Sequence, residues 1–213
     1  MSPTAITAPR LRDLHVSVVD VETTGFNATN DRIIEIAVVR FAPGGTVDDV
    51  FSTLVNSQCD PGATHIHGIT ADDLVDAPMF GDVADAIVER LQGTVLVAHN
   101  ASFDRGFIDA ELARTGRRVP DIKQVCTLAA ARKYLPNQSH KLGFLCEQFN
   151  IDLNNAHAAD ADAIATGHLL YELLSLAEQK GLGTIANHAS FDQLVPTANL
   201  AQAVTKQRHA LTT

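Results

Sequence analysis

The chain runs to 213 residues, 46% of them hydrophobic, with a mean hydropathy of +0.04, long enough for one well-buried core with extensions. It has neither the apolar run of a secretory leader nor the roughly 18 residues of a membrane span. Three widely spaced cysteines, Cys59, Cys126 and Cys146, indicate no disulfide framework and no C-x-x-C metal site, so a reduced cytoplasm is the expected compartment.

Val16, Val18, Val19 and Val21 read as a buried first strand, closed by the turn signal Thr23-Thr-Gly25. Residues 32–41 read as a second strand, Pro43-Gly-Gly45 as a turn and residues 47–55 as a third strand, together an antiparallel meander. Residues 56–68 are expected to be loop. Phe80, Val83, Ala84, Ile87, Val88 and Leu91 have helical spacing and predict a helix over 80–91, stopped by Gly93. Residues 94–98 form a short apolar strand. Ser102 then reads as the N-cap of a helix over 103–115, closed by Gly116.

Further helices are expected at 127–134, 139–150 and about 159–179. Strands first, then strands alternating with helices, describe an α/β mixed sheet covered by helices. Beyond Gly181 the pattern is lost: residues 184–195 have room for one more helix, and 196–213 read as a polar tail. The expected organisation is a flexible extension over 1–13, one domain over 14–180, and a C-terminal helix and tail over 181–213.

Two acids stand where folding does not ask for them, and two more join them further along the chain. Asp20 and Glu22 are two apart at the end of the first strand and so present two carboxylates on one face. Paired like charges are costly to bury unless a cation offsets them, and hard Mg²⁺ or Mn²⁺ is the usual partner. Alone, such a pair is more often just the solvent-reaching end of a strand. Asp104, in Val97-Ala-His-Asn-Ala-Ser-Phe-Asp104, follows a strand's carboxyl end and falls in a helix's first turn, where open α/β sheets build sites. It would also simply complement the helix dipole there. In His157-Ala-Ala-Asp-Ala-Asp162, steps of three, seven and eleven from Asp162 reach Ala165, Leu169 and Leu173, the apolar stripe. Asp162 therefore faces the sheet, Asp160 is expected to cap the helix, and His157 sits in the loop entering it.

Together these residues resemble the DEDDh 3′–5′ exonucleases, the DnaQ-like family that includes the proofreading subunit of bacterial DNA polymerase III. The resemblance spans about 14–178. It rests on Asp20-Val-Glu22-Thr-Thr-Gly25, Ile66-His-Gly-Ile-Thr70, Ala98-His-Asn-Ala-Ser-Phe-Asp104 and His157 five residues before Asp162. A sister subclass has tyrosine where this chain has Ala158, so the histidine subclass is selected.

The resemblance implies a ribonuclease H-like mixed sheet with its first strand central. It implies two Mg²⁺ or Mn²⁺ ions bridged by Asp20, with Glu22 and Asp162 on one and Asp104 on the other, and His157 as the base that takes a proton from water. Thr23, Thr24 and Gly25 would surround the terminal 3′-hydroxyl, and Phe26 would wedge between the last two bases. His67 and His99, with Asn100 beside it, would line the nucleotide pocket, although both histidines are equally read as holding loops. Relatives often carry glutamate five residues before the His67 position, where this chain has Gly62.

A net charge of −9 argues against a polyanionic partner, but the 105–141 segment holds Arg105, Arg114, Arg117, Arg118, Lys123, Arg132, Lys133 and Lys141 against Asp109, Glu111 and Asp121. That basic surface can hold a phosphate backbone, and the resemblance implies a single-stranded or frayed DNA 3′ end as substrate, released as nucleoside 5′-monophosphates in proofreading or repair. RNA is the closest rival, and a non-catalytic module docking on a polymerase is the alternative of a different class. A polymerase subunit or, through Gln193-Leu194, a sliding clamp are the protein partners considered.

Overall fold

The computed structural model describes residues 10–153 and 158–180. Residues 1–9, residues 154–157 with His157 among them, and the expected C-terminal helix and tail lie outside the described residues.

One five-stranded sheet has the order β3-β2-β1-β4-β5, with β1 (Val16–Thr23), β2 (Ile33–Phe41), β3 (Val47–Leu54), β4 (Val95–Ala98) and β5 (Gln124–Cys126). β1, β2 and β3 form the antiparallel meander; β4 and β5 add in parallel on the other side of β1. The first strand is central, as the resemblance implies. Helices are α1 (Thr64–His67), α2 (Ala71–Leu74), α3 (Phe80–Leu91), α4 (Ala101–Arg114), α5 (Thr127–Tyr134), α6 (Leu142–Phe149) and α7 (Ala159–Gln179).

Both faces of the sheet are covered, which is why β1 and β2 read as nearly unbroken apolar runs. Val19, Val21, Ile36 and Val38 pack with Phe80, Ile87, Phe107 and Leu112 of α3 and α4. Val16, Val18, Ala37, Val39 and Phe41 pack with Ala159, Ala163 and Leu170 of α7. Side chains alternate along a strand, so Asp20 and Glu22 fall on the α7 face. α7 crosses close to β2: at Gly167 a Cβ would collide with the Phe41 ring.

Several local expectations are corrected. α4 opens at Ala101 behind Asn100, not behind Ser102, and α6 opens at Leu142, not at 139. Residues 64–67, read as loop, make a helical turn, and the three-residue β5 was missed. α7 opens at Ala159 behind Ala158, so Asp160 lies inside the first turn and is not the N-cap. Residues 10–13 belong to the domain: Leu11 and Leu14 are buried, and Arg12 pairs with Glu178 of α7 at 3.1 Å.

The β1–β2 connection is tied to α4 by a buried charge. Glu111 is 1% exposed and accepts from Arg32 Nε at 2.6 Å, Arg32 Nη2 at 3.0 Å and the Ile33 N–H at 3.3 Å. Arg114, paired with Glu111, donates onward to the carbonyls of Ala28 and Thr29. Glu111→Ala should destabilise the fold by about 3 kcal/mol, because it leaves Arg32 beside an unfilled acceptor site. Urea unfolding followed by circular dichroism checks this, and a change within experimental error would assign the tie no structural weight.

Candidate active site

β1 outruns its parallel neighbour. β4 pairs with β1 only at Val16, Ser17 and Val18, so the end of β1 that carries Asp20 and Glu22 opens beyond the carboxyl end of β4. Asp104, in the first turn of α4, reaches into that opening. It is 5% exposed, and the backbone at Val21 and at Asp104 itself favours its ionised form. From the opposite face, the first turn of α7 brings Asp162. Oxygen atoms of Asp20, Glu22 and Asp162 all lie within 4.8 Å of one another, the one such group of three among the described residues.

A fifth carboxylate joins them that sequence reasoning missed. Glu35 of β2 stands directly opposite Glu22 in the antiparallel register, and its Oε2 accepts the Ala159 N–H of α7 at 3.3 Å. Just past this pair the register shifts, Thr23 facing Ile33 with Ile34 left over. The bulge turns Ile34 into a small separate cluster with Ile69 and Leu74, beneath α1 and α2. The signal in the sequence was a lone charge inside Ile33-Ile-Glu-Ile36.

Burial and mutual repulsion dominate the electrostatics. Asp20 is held well above the ordinary carboxylate range by burial first, then by Asp104, Asp162, Glu22 and Glu35. Burial, with Glu35 next, pushes Glu22 up to about 7. Burial pushes Asp104 up to about 7, opposed by the backbone at Asp104 and Val21. Glu35 is raised by burial, opposed by its bond to Ala159. A pocket of oxygen donors that resist ionising together fits a hard divalent cation, which would supply the missing positive charge.

The loop after β1 holds the residues expected around the substrate end. Thr23 Oγ1 donates to the Gly25 carbonyl at 2.7 Å, and Thr24 exchanges bonds with Arg32: its N–H donates to the Arg32 carbonyl and its Oγ1 accepts the Arg32 N–H. At Gly25 a Cβ would sit 2.5 Å from the Asp31 carboxylate. Phe26, at the tip, is 87% exposed. Gly62 has φ +80° and lies against the Thr24 carbonyl, so a side chain there would drive into the loop. The glutamate that relatives often carry has no room at this position.

The histidines hold loops. His67 is buried, and its Nδ1 accepts the Ile69 N–H at 3.1 Å, which leaves the proton on Nε2. His99 has both ring nitrogens engaged, Nδ1 at 2.9 Å from Thr127 Oγ1 and Nε2 at 2.8 Å from the His140 carbonyl. A carbonyl only accepts, so Nε2 carries the proton. Burial lowers both pKa values. Asn100 is exposed at the head of α4.

The basic segment is less free than its composition suggests. Arg105 pairs with Asp109, Arg114 with Glu111, and Arg117 with Asp85 through two bonds of 2.6 and 2.8 Å. Arg118, Lys123, Arg132, Lys133 and Lys141 form no ion pair among the described residues.

The raised carboxyls set a pH dependence. Folded Glu22 keeps its proton up to about 7, whereas its ordinary value is 4.5. The folded state therefore binds more protons in that window, and the metal-free protein should lose stability as pH rises through it. Asp20→Asn should raise the metal-free melting temperature at pH 8 by roughly 2–4 °C for each kcal/mol of repulsion removed. Scanning calorimetry at pH 5 and pH 8 checks both, and a wild-type melting temperature that climbs with pH would contradict them.

Over residues 17–170 the chain matches the exonuclease family RNase_T. It is 36% identical over 172 residues to DNA polymerase III subunit epsilon of Buchnera aphidicola subsp. Schizaphis graminum, a match covering 76% of this chain and 73% of that protein. It is 39% identical over 167 residues to the PolC-type DNA polymerase III of Bacillus cereus, where the match covers 77% of this chain but spans only 12% of the relative. Among solved structures it is similar to exonuclease X in complex with 5′ overhanging duplex DNA, with a TM-score of 0.62 and 25% identity over 76% of this chain and 93% of that one. No helix among the described residues is long and apolar enough to cross a membrane. A ribonuclease H-like sheet, a carboxylate cluster at the end of its central strand and these matches agree: the chain belongs to the exonuclease family.

Proposed function

We propose that this chain is a metal-dependent 3′–5′ exonuclease that hydrolyses the terminal phosphodiester of single-stranded or frayed DNA and releases nucleoside 5′-monophosphates. The observation that carries the proposal is the group of Asp20, Glu22 and Asp162, with Asp104 entering from α4. Two Mg²⁺ or Mn²⁺ ions bound there would lower the pKa of an attacking water and stabilise the leaving 3′-oxygen. Asp20 would serve both, Glu22 and Asp162 one, and Asp104 the other.

The chain's own groups do the rest. His157, with an ordinary imidazole pKa of about 6.5, is suited to accept the proton of the attacking water near neutral pH. Thr23, Thr24 and Gly25 would hold the terminal sugar, because the two hydrogen bonds to Arg32 set the path of this loop. Phe26 carries an exposed aromatic surface to the loop tip, where stacking on any base opposes slippage of the strand. The exonuclease X structure contains overhanging DNA and the epsilon relative is a polymerase III subunit. Both support a DNA end as substrate and a polymerase as the partner to look for first.

The direct test is a time course on matched 3′-tailed DNA and RNA oligonucleotides with chelator, then with Mg²⁺ or Mn²⁺. Products should be mononucleotides from the DNA 3′ end, and full activity in excess chelator would refute the metal-dependent mechanism. His157→Ala should bind Mn²⁺ much as the wild type does while kcat falls roughly 10²- to 10⁴-fold, the usual worth of a general base. Loss of Mn²⁺ binding in that variant, by calorimetry, would make His157 a ligand instead. Phe26→Ala should slow digestion of single-stranded and mismatched ends, which in the wild type are degraded faster than matched duplex ends because a paired terminus must first melt. Equal wild-type rates on blunt duplex and single strand would remove the wedge.

A further inference from the structure

α7 carries Asp162 in its first turn, and its own sequence caps it only in part, Asp160 Oδ1 accepting the Ala161 N–H at 2.8 Å. The N-cap residue is Ala158, which has no side-chain acceptor, and a helix leaves its first N–H groups to be satisfied from outside. The acceptor for the first of them comes from the sheet, where Glu35 Oε2 takes the Ala159 N–H at 3.3 Å across 124 positions of sequence.

The placement of Glu35 is otherwise unfavourable. It lies directly opposite Glu22, and like charges so opposed in an antiparallel pair are destabilising. It lies outside the group of three whose oxygens come within 4.8 Å of one another, and its Oε2 is engaged by the Ala159 N–H. A helix N-terminus, with its partial positive charge and its unpaired donors, is the one neighbour that favours a carboxylate there. Ala159 and Asp162 are three residues apart on α7, and residues at that spacing share a helix face. A tie at Ala159 therefore sets the rotation and height of the turn from which Asp162 projects over β1.

We propose that Glu35 is a positioning residue whose carboxylate caps α7 from β2 and so holds Asp162 in place against Asp20 and Glu22. Only the turnover measurement rests on the exonuclease reading; the structural and metal-binding measurements stand without it.

The test compares wild type, Glu35→Gln, Glu35→Asp and Glu35→Ala. Hydrogen exchange at the first turn of α7 is measured in the metal-free protein, Mn²⁺ affinity by calorimetry, and kcat and KM on a single-stranded DNA end. Glutamine keeps an oxygen acceptor at the same reach, so Glu35→Gln should retain amide protection and most of the Mn²⁺ affinity and kcat. Aspartate keeps the charge but shortens the reach, so it should behave like alanine. Both should lose protection at Ala159 and lose Mn²⁺ affinity and kcat by about 10- to 100-fold, the usual effect of removing a group that orients a metal ligand, with KM little changed.

Glu35→Gln as impaired as Glu35→Ala would show that the charge itself matters and would overturn the proposal, as would an alanine variant with wild-type protection and affinity. If Glu35→Ala does not fold, Gln against Asp decides the same question, since capping requires Gln to exceed Asp. A wild type that releases no nucleotide from any 3′ end would refute the exonuclease reading and leave the exchange and Mn²⁺ results to judge Glu35.

Discussion

Repulsion among carboxylates at the end of the central strand is the constraint around which the molecule is arranged. Burial and neighbouring charge hold Asp20 and Glu22 above their ordinary pKa values, and burial does the same to Asp104. A folded state that forces such groups together gives up free energy in the absence of a cation, and the rest of the domain must supply the rigidity that keeps them from separating. That rigidity is visible in the two buried layers. α3 and α4 press on one face of β1 and β2, and α7 presses on the other closely enough that only glycine fits at position 167.

Each acid reaches the cluster by a separate structural device. Asp20 and Glu22 share a face through the strand's period of two. Asp104 comes from the first turn of α4, where the β1–β4 pairing has already ended at Val18, so a helix brings the acid that the shorter strand does not. Asp162 arrives on a helix whose start is tied to the sheet through Glu35. The bulge after Glu22 and the Arg32–Glu111 pair then redirect the chain into the loop bearing Thr24, Gly25 and Phe26. The same loop is pinned from a second side by Gly62 at the Thr24 carbonyl.

What could be read from the sequence was what depends on local period. The apolar runs of β1 and β2 and the helical spacing of 80–91 follow from strand and helix geometry, and the structure agrees with them; helix geometry also turned Asp162 toward the sheet, and Asp162 lies in the carboxylate group. What could not be read depends on partners far along the chain. Glu35 is one charge in an apolar strand until Ala159 is brought beside it. Ser102 is a good cap residue by type, but the helix starts two residues earlier, with the Phe103 N–H on the Asn100 carbonyl. Composition counted Arg117 as a free cation because it carries no record of Asp85. Residues 154–157, with His157, lie outside the described residues, so its role rests on the resemblance.

With the polyanionic substrate proposed for it, an acidic protein must reverse the sign of its own pocket. Without cations, the cluster around Asp20 repels a phosphodiester as strongly as it repels itself, and the cations with no ion pair, Arg118, Lys123, Arg132, Lys133 and Lys141 among the described residues, come from another stretch of the chain. Those side chains can attract a strand through the long-range field, while seating its last phosphate among five carboxylates calls for positive charge inside the pocket. Divalent ions would do that, and linkage then works in both directions: whatever the ions add to the affinity for a DNA end, the end adds to the affinity for the ions. The repulsion that destabilises the empty pocket would thus become the source of its selectivity. Ions and a terminal phosphate would be held tightly together, and neither alone.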